Sequence, residues 1–376
     1  MAKYSFYIRR NDGQYRGRIM DIESVRIIEK LNDPGNWTIR SRTKDPCPFE
    51  PGDGIVIACE GAYFYSGVLS DIREDFDGYS RLYTWTVQGT SDLEFLKRRV
   101  CYPDPSSGST SSVSYYTDSG TLVSVVGKII NRNLGPLALA ARQEPLVGSV
   151  AVGDEGDTVS VSLRFQTLLE GILPLLNAQN FSIRPTWDGS ARKIVYQIYE
   201  SKDLSASMLF STKLNSIIKL ERSIKRPRGN YIISGGTGTK TSRNFAYASN
   251  DESAQKWGRI EYFHDMRSTS ASELQADANS TLQTYSQENA GYSAEINSDA
   301  YRMQYRRDWN LGDYIAVDVN DGIAIQRILQ VETSLSYDQE TIKPVIGTIQ
   351  QGQLALIFNE IGALRSDVNQ LQWADS

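Results

Sequence analysis

The stretch Trp309-Asn-Leu-Gly-Asp-Tyr-Ile-Ala-Val317 constrains the fold most, because its grammar occurs a second time in the chain. An aromatic residue is followed by a Gly-Asp turn and then by alternating apolar positions, which describes a turn feeding a half-buried strand. The earlier copy is Phe49-Glu-Pro-Gly-Asp-Gly-Ile-Val-Ile57, at an offset of 260 residues. Gly52 and Asp53 fall on Gly312 and Asp313, and Ile55 and Ile57 on Ile315 and Val317. Carried on without a gap, the offset places Tyr63 and Tyr65 on Ile323 and Ile325, and Val68 and Leu69 on Ile328 and Leu329. Each copy therefore reads as strand, tight turn and returning strand. Two such hairpins predict two related small β-barrels in one subunit. The competing reading is a common Gly-Asp turn used twice.

A chain of 376 residues has room for two or three domains, each with its own core. The net charge of -5 argues against general nucleic-acid binding, which needs a basic face. Twenty-one tyrosines against a single histidine suit β-rich, amphipathic surfaces. No apolar run approaches the roughly 20 residues that would make a membrane-spanning segment. Met1-Ala-Lys-Tyr-Ser5 leads directly into a strand pattern, so no signal peptide is expected. Cys47, Cys59 and Cys101 lack CxxC spacing and read as buried or idle thiols made in a reducing cytosol.

The expected class is α+β, predominantly β. Residues 1–97 form the first barrel, 98–209 an α+β insertion, 210–350 the second barrel with one helix, and 351–376 a C-terminal helix. In the first barrel, Asn11-Asp12-Gly13 is a hairpin turn, and Asn32-Asp-Pro-Gly35 breaks the strand Ser24–Leu31. Pro103–Ser112 reads as an exposed segment without core-forming residues. Two amphipathic helices follow, at about 120–133 and about 164–179. Phe165 heads the apolar stripe of the second, and Pro174 predicts a kink or an early stop. A hairpin about Trp187-Asp-Gly-Ser190 closes the insertion. Ser270-Ala-Ser-Glu273 is a capping box opening a helix with Leu274, Ala278, Leu282 and Tyr285 on one face. At the C-terminus, Leu354, Ile357, Ile361, Leu364, Val368 and Leu371 recur at heptad spacing. That seam suits either an oligomer or partner interface, or a helix packed on its own barrel. Three heptads are marginal alone, and Gly362 weakens them further.

No stretch carries convincing chemistry, so no catalytic residue, cofactor or metal site is expected. His264 stands alone among aromatic residues, with no second histidine for a metal. No G-x-S-x-G nucleophile elbow occurs. Ser234-Gly-Gly-Thr-Gly-Thr-Lys-Thr241 fails as a phosphate loop because Thr239 precedes the lysine, and it lies between two strands. Lys225-Arg-Pro-Arg-Gly229 reads as a solvated basic turn, and the acidic spot Asp71, Glu74, Asp75 and Asp77 lacks the spacing of an EF-hand. A long chain of repeated barrels without chemistry reads as an assembly component.

Three pieces, Leu31-Asn-Asp-Pro-Gly-Asn-Trp-Thr-Ile39, Phe49–Ile57 and Leu274 through Val317, resemble the tail hub (baseplate hub) proteins of long-tailed bacteriophages. In siphophages these form the N-terminal module of tail-tip or tail-associated lysin proteins. The resemblance implies a homotrimer whose paired barrels make a pseudo-sixfold ring, a symmetry adaptor in the virion. A distal tail protein ring would lie above it and a spike, fibre or tail-tip protein below. Viral DNA would pass through without specific binding, and if the chain forms a ring its acidic balance predicts a lumen that is neutral or negative. The protein would be made in the host bacterial cytoplasm. The sequence stops at Ser376 without a peptidase or lysozyme domain, so no lytic activity is expected. The competing classes are a carbohydrate-binding or glycan-processing tail protein and the hub of a contractile injection system.

Overall fold

In a computed structural model of the chain, the described residues are 3–107, 113–266, 271–286, 289–297, 300, 303–319, 322–337 and 339–347. The first seven strands are β1 (Tyr4–Arg9), β2 (Tyr15–Ile19), β3 (Ser24–Lys30), β4 (Asp33–Thr43), β5 (Gly54–Cys59), β6 (Ala62–Asp77) and β7 (Leu82–Ser91). A short helix α1 (Glu94–Lys97) leads to β8 (Tyr116–Thr121), α2 (Leu122–Asn133), β9 (Thr158–Leu163), α3 (Leu168–Ala178), β10 (Phe181–Asp188) and β11 (Lys193–Glu200). Next come β12 (Leu209–Phe210), β13 (Ile217–Lys225), β14 (Tyr231–Gly235), β15 (Phe245–Ser249), α4 (Asp251–Trp257), β16 (Glu261–Asp265) and α5 (Ala271–Tyr285). The last strands are β17 (Asn289–Ile296), β18 (Tyr314–Val319), β19 (Gly322–Ser336) and β20 (Glu340–Gly347).

The protein is predominantly β with few helices, as expected. It divides into a larger unit, 1–219 with 294–345, and a smaller one, 220–293 with 346–376. Residues 98–209 thus belong to the larger unit, and the smaller takes the middle of the stretch 210–350. In the larger unit one sheet runs in the order β20-β19-β3-β4-β7-β6-β5-β1-β2, and β18 pairs with β19. β3 and β19 pair antiparallel from Lys30–Gln330 to Ser24–Ser336, so both turn-bearing hairpins belong to one continuous sheet. Among the described residues no set of strands closes into a barrel. Trp37, Ile27, Ile39, Ile55, Ile57 and Val87 are fully buried on one face of this sheet. A second core joins α2 and α3 to β10 and β11 through Ile129, Ile130, Leu168, Ile172 and Ile194.

Several local expectations are corrected. The turn after β3 falls on Leu31 and left-handed Asn32 (φ 53°), and Pro34 and Gly35 lie inside β4. Pairing of β4 with β7 begins at Asn36, so the proline removes no ladder donor there. At Gly35 a β-carbon would sit 1.8 Å from the Ile28 carbonyl oxygen, which excludes any side chain. Asn32 is buried; its Oδ1 accepts from the Ile183 N–H at 2.9 Å and its amide reaches Asn177 at 3.2 Å, tying this turn to β10 and α3. Phe165 lies outside α3, left-handed and exposed, because Thr167 caps the helix in a box with Glu170. Pro174 does not stop the helix early: α3 runs through it to Ala178, with the proline on an exposed side. Its missing N–H frees the Glu170 carbonyl, which water can satisfy. Pro103 and Pro105 are buried rather than part of an exposed segment, whereas 108–112 lie outside the described residues. Trp187 is a buried strand residue, not part of the turn that follows it. The expected cap Ser270 and the seam Leu354, Ile357, Ile361, Leu364, Val368 and Leu371 also lie outside the described residues.

Candidate functional site

The repeated turn has one geometry in both places. Gly52 and Gly312 are left-handed, with φ of 91° and 97°. One residue later an aspartate closes a small ring. The Asp53 N–H donates to the Glu50 carbonyl at 3.0 Å, and Asp53 Oδ2 accepts from the Glu50 N–H at 2.8 Å. At the other turn the Asp313 N–H donates to the Asn310 carbonyl at 3.2 Å, and Asp313 Oδ2 accepts from the Asn310 N–H at 2.8 Å. The returning strands donate to the same carbonyl, Leu69 N–H to Asp53 O at 3.0 Å and Ile328 N–H to Asp313 O at 2.9 Å. A buried aromatic ring anchors each entry: Phe49 beside Trp37 and Trp85, Trp309 beside Phe210 and Tyr305.

The returning strands do not keep the ungapped offset. Ala62 and Tyr63 pair with Cys59 and Ala58, as Gly322 and Ile323 pair with Val319 and Asp318. The first hairpin then has a bulge at Phe64, and the second has none. Tyr65 therefore matches Ala324 rather than Ile325, Val68 matches Arg327, and Leu69 matches Ile328. The bulge is used. Arg306, three residues ahead of Trp309, donates to the Phe64 carbonyl and to Glu29, with its guanidinium 4.2 Å from the Phe64 ring. The chain entering the second turn thus grips the bulge of the first hairpin.

The two aspartates differ in what holds their free oxygens. Arg16 donates from Nε to Asp53 Oδ2 at 2.9 Å and from Nη2 to Oδ1 at 3.2 Å. Asp313 Oδ1 instead accepts the Lys202 backbone N–H at 2.8 Å. Burial pushes the Asp313 carboxyl above the usual carboxylate range, against the downward pull of the Lys202 and Asn310 N–H groups.

In the smaller unit, His264 on β16 meets two residues of α5. Its Nδ1 lies 3.0 Å from Asp277 Oδ2 and 3.1 Å from Thr281 Oγ1. Asp277 and Thr281 are one helical turn apart and so share a face. Ser234, on the neighbouring strand, donates to the same Asp277 oxygen at 2.9 Å. Serine, histidine and aspartate thus meet, but not in the order of a catalytic triad. The hydroxyl is spent on the carboxylate, and the imidazole does not stand beside it as a base. The cluster pins α5 to its sheet. Nothing local in the sequence signals it, because Asp277 and Thr281 lie more than a dozen residues from His264.

The remaining candidates resolve into structural contacts. Arg243 folds the 235–244 loop back by donating to the Gly235 and Gly236 carbonyls at 2.7 and 3.1 Å. Arg228 of the basic turn stacks on Tyr262 and Tyr285. In the acidic spot Asp71 accepts from Arg73 and Gln88, Glu74 from the Cys47 N–H, and Asp77 from Tyr79 N–H and Ser80. Among the described residues no group of histidine, cysteine and carboxylate side chains is arranged to hold a metal ion. An open groove of about 520 Å³ runs over β19, β3, β4 and β7, lined by Arg26, Thr38, Arg40, Thr86, Ser334 and Thr341 among others. Its arginines are matched by acids, Arg26 by Glu332 at 2.9 Å and Arg40 by Glu23 at 3.2 Å.

No curated protein sequence matches the chain. Among solved structures, the 43 kDa tail protein of prophage MuSo2 from Shewanella oneidensis aligns with a TM-score of 0.57 at 12% identity, covering 92% of this chain and 96% of its own. The tail protein from Neisseria meningitidis MC58 aligns with a TM-score of 0.54 at 12% identity, with the same coverage of 92% and 96%. At these identities the likeness is one of fold. A family model described as Siphovirus ReqiPepy6 Gp37-like protein matches residues 5–348, nearly the whole chain. The siphophage affinity read from the sequence is therefore borne out: with a phage tail-protein fold, the chain belongs to the Siphovirus ReqiPepy6 Gp37-like family.

Proposed function

We propose that the protein is the structural tail hub of a siphophage virion, a homotrimer forming a pseudo-sixfold ring around the DNA channel. The observation that carries this reading is the repeated Gly-Asp clasp, built twice in one chain with the same left-handed glycine, the same aspartate ring and the same return-strand bond. One subunit with two near-equivalent elements, arranged in a closed threefold ring, presents six similar positions. The two clasps then stand for two related barrel-like blocks completed in the assembly. Such a ring joins a sixfold tail ring on one side to a threefold spike or fibre on the other. The arginines of the Ser/Thr-lined groove are matched by carboxylates, which suits a wall that must not hold DNA phosphates.

The role is mechanical rather than catalytic, since Ser234 donates to Asp277 and not to His264. Mass photometry of the purified chain is expected to give a particle near 126 kDa, three times its 42.1 kDa mass. Electron microscopy of that particle is expected to show a ring with six similar lobes. A monomer at micromolar concentration, or a particle without a central opening, overturns the hub. Glycan or peptidoglycan cleavage that His264→Ala abolishes overturns the non-enzymatic role.

A further inference from the structure

The sheet of the smaller unit, in the order β15-β14-β16, inverts the usual alternation. Small residues, Ala246 and Ala248 of β15, point under α5 together with Ile232 and meet Leu274 and Ala278. The rings of β15 and one of β16 point away, while Tyr262 stays under α5. Phe245, Tyr247 and Phe263 are 44, 53 and 49% exposed. Ile233 pairs with Tyr247 on one side and Phe263 on the other, so these three make one row across the sheet. Two arginines, each paired with a β16 carboxylate, lie over its rings: Arg243, bonded to Asp265, 5.8 and 5.5 Å from the Phe245 and Phe263 rings, and Arg259, bonded to Glu261 at 2.8 Å, 3.6 Å from the Tyr231 ring. β14 runs parallel to β16 and antiparallel to β15, and a face carrying three large exposed rings in one small sheet marks an interaction surface. Helix α5 covers the other face.

We infer that the aromatic face is the docking site of the chain's own C-terminal segment, residues 354–371. That segment lies outside the described residues, and the chain enters the smaller unit at Ile346, just ahead of it. Residues 348–353 can span at most about 20 Å. The apolar positions from Leu354 to Leu371 recur at heptad spacing along one helical stripe about 27 Å long. Strands of five residues present about 17 Å, so the stripe is long enough to cross the whole face. Three heptads weakened by Gly362 are marginal as a helix alone, whereas a preformed aromatic surface on a short tether meets them at millimolar effective concentration. This assignment is independent of the hub reading, since it concerns one chain.

The test uses the full chain with Cys47→Ser and Cys59→Ser, leaving buried Cys101 in place. Tyr247→Cys is combined in turn with Ile357→Cys, Ile361→Cys, Leu364→Cys and Val368→Cys, and the products are oxidised and mapped by mass spectrometry. The expected result is a disulfide within one chain for at least one pairing. Bonds formed between chains assign the face to a second copy and overturn the inference, and so does the absence of a bond in all four. In a second measurement, a chain ending at residue 350 is compared with the full chain by amide hydrogen exchange. Residues 245–249 and 261–265 are expected to exchange at least tenfold faster in the shorter chain, and unchanged rates overturn the assignment.

Discussion

The two clasps share a backbone geometry but not their surroundings, and alanine at each glycine separates the two contributions. Gly52 and Gly312 both lie near φ of +90°, where an L-residue costs about 1–2 kcal/mol. Around Gly52 a new methyl group meets little: its nearest neighbour is Asn11 Nδ2 at 4.0 Å. Around Gly312 it would lie 2.8 Å from Ser201 Oγ, 2.9 Å from Ser182 Oγ and 3.1 Å from Leu31 Cδ1. Those hydroxyls cannot simply move aside. They bond to each other at 3.1 Å, and Ser201 accepts from Arg327 at 3.0 Å, all in buried positions. Overpacking of this kind adds about 1–3 kcal/mol. Gly52→Ala should therefore cost about 1–2 kcal/mol and Gly312→Ala about 2–5 kcal/mol. Urea unfolding followed by tryptophan fluorescence reads the difference, since Trp309 and Trp37 are both fully buried beside the respective turns. At a denaturant slope of about 3 kcal/mol/M, the Gly312→Ala midpoint should fall below that of Gly52→Ala by roughly 0.3–1 M. Equal midpoints, or a lower one for Gly52→Ala, would refute the argument that the second turn is fixed by its packing as well as its backbone.

Two other expectations follow from buried polar groups. Arg9 forks onto Asp92 with both bonds at 2.7 Å, the side chains 1 and 0% exposed; Arg9→Met or Asp92→Leu alone should cost about 3–5 kcal/mol, while the double variant recovers most of it, and a double variant as unstable as the sum of the singles would show that the pair is not coupled. Burial pushes the Cys101 thiol up to about 11 and the Tyr199 hydroxyl up to about 12. Raised folded values mean that stability is fully present below the unfolded values, about 8.5 and 10, and is lost as pH rises through 11–12. Stability measured from pH 8 to 12 should fall over that window, and Cys101→Ala and Tyr199→Phe should flatten the fall; identical profiles would refute the assignment to these groups.

Much of the β framework was legible because alternation and turn chemistry act locally. Asn11-Asp12-Gly13, the two Gly-Asp turns and the apolar stripe of α2 each declare themselves within a dozen residues. The failures share a cause, which is that the deciding partner lies elsewhere in the chain. Pro34 and Gly35 look like a turn, yet Gly35 is needed where β4 passes the Ile28 carbonyl. β15 and α4 went unread because Phe245-Ala-Tyr-Ala-Ser249 hides its alanines and shows its rings, the reverse of what burial by size suggests. The cluster about His264 depends on the helix laid over it. The ungapped offset hid the bulge, since one residue inserted at Phe64 shifts the match by one and still leaves apolar residues aligned.

That bulge changes what the duplication means. If the two hairpins were interchangeable, neither would carry a feature that recognises the other, yet Arg306 ahead of the second clasp binds the Phe64 carbonyl of the first. Burial works against the Arg306 charge, but Glu29 and Tyr305 hold it protonated, above the ordinary arginine range. Within a single chain the first hairpin is therefore always engaged by the segment leading to the second. The second has no bulge to offer. What the copies share is confined to the clasp itself, where glycine, aspartate and aromatic anchor fix the direction in which each strand leaves the turn. What differs is the means of holding it, an arginine side chain at Asp53 and a backbone N–H at Asp313. In the proposed threefold ring, six similar strands from three chains would need matching directions, whereas the supporting contacts would differ, because one copy would be joined to its neighbour by the chain and the other would meet its neighbour across a subunit boundary.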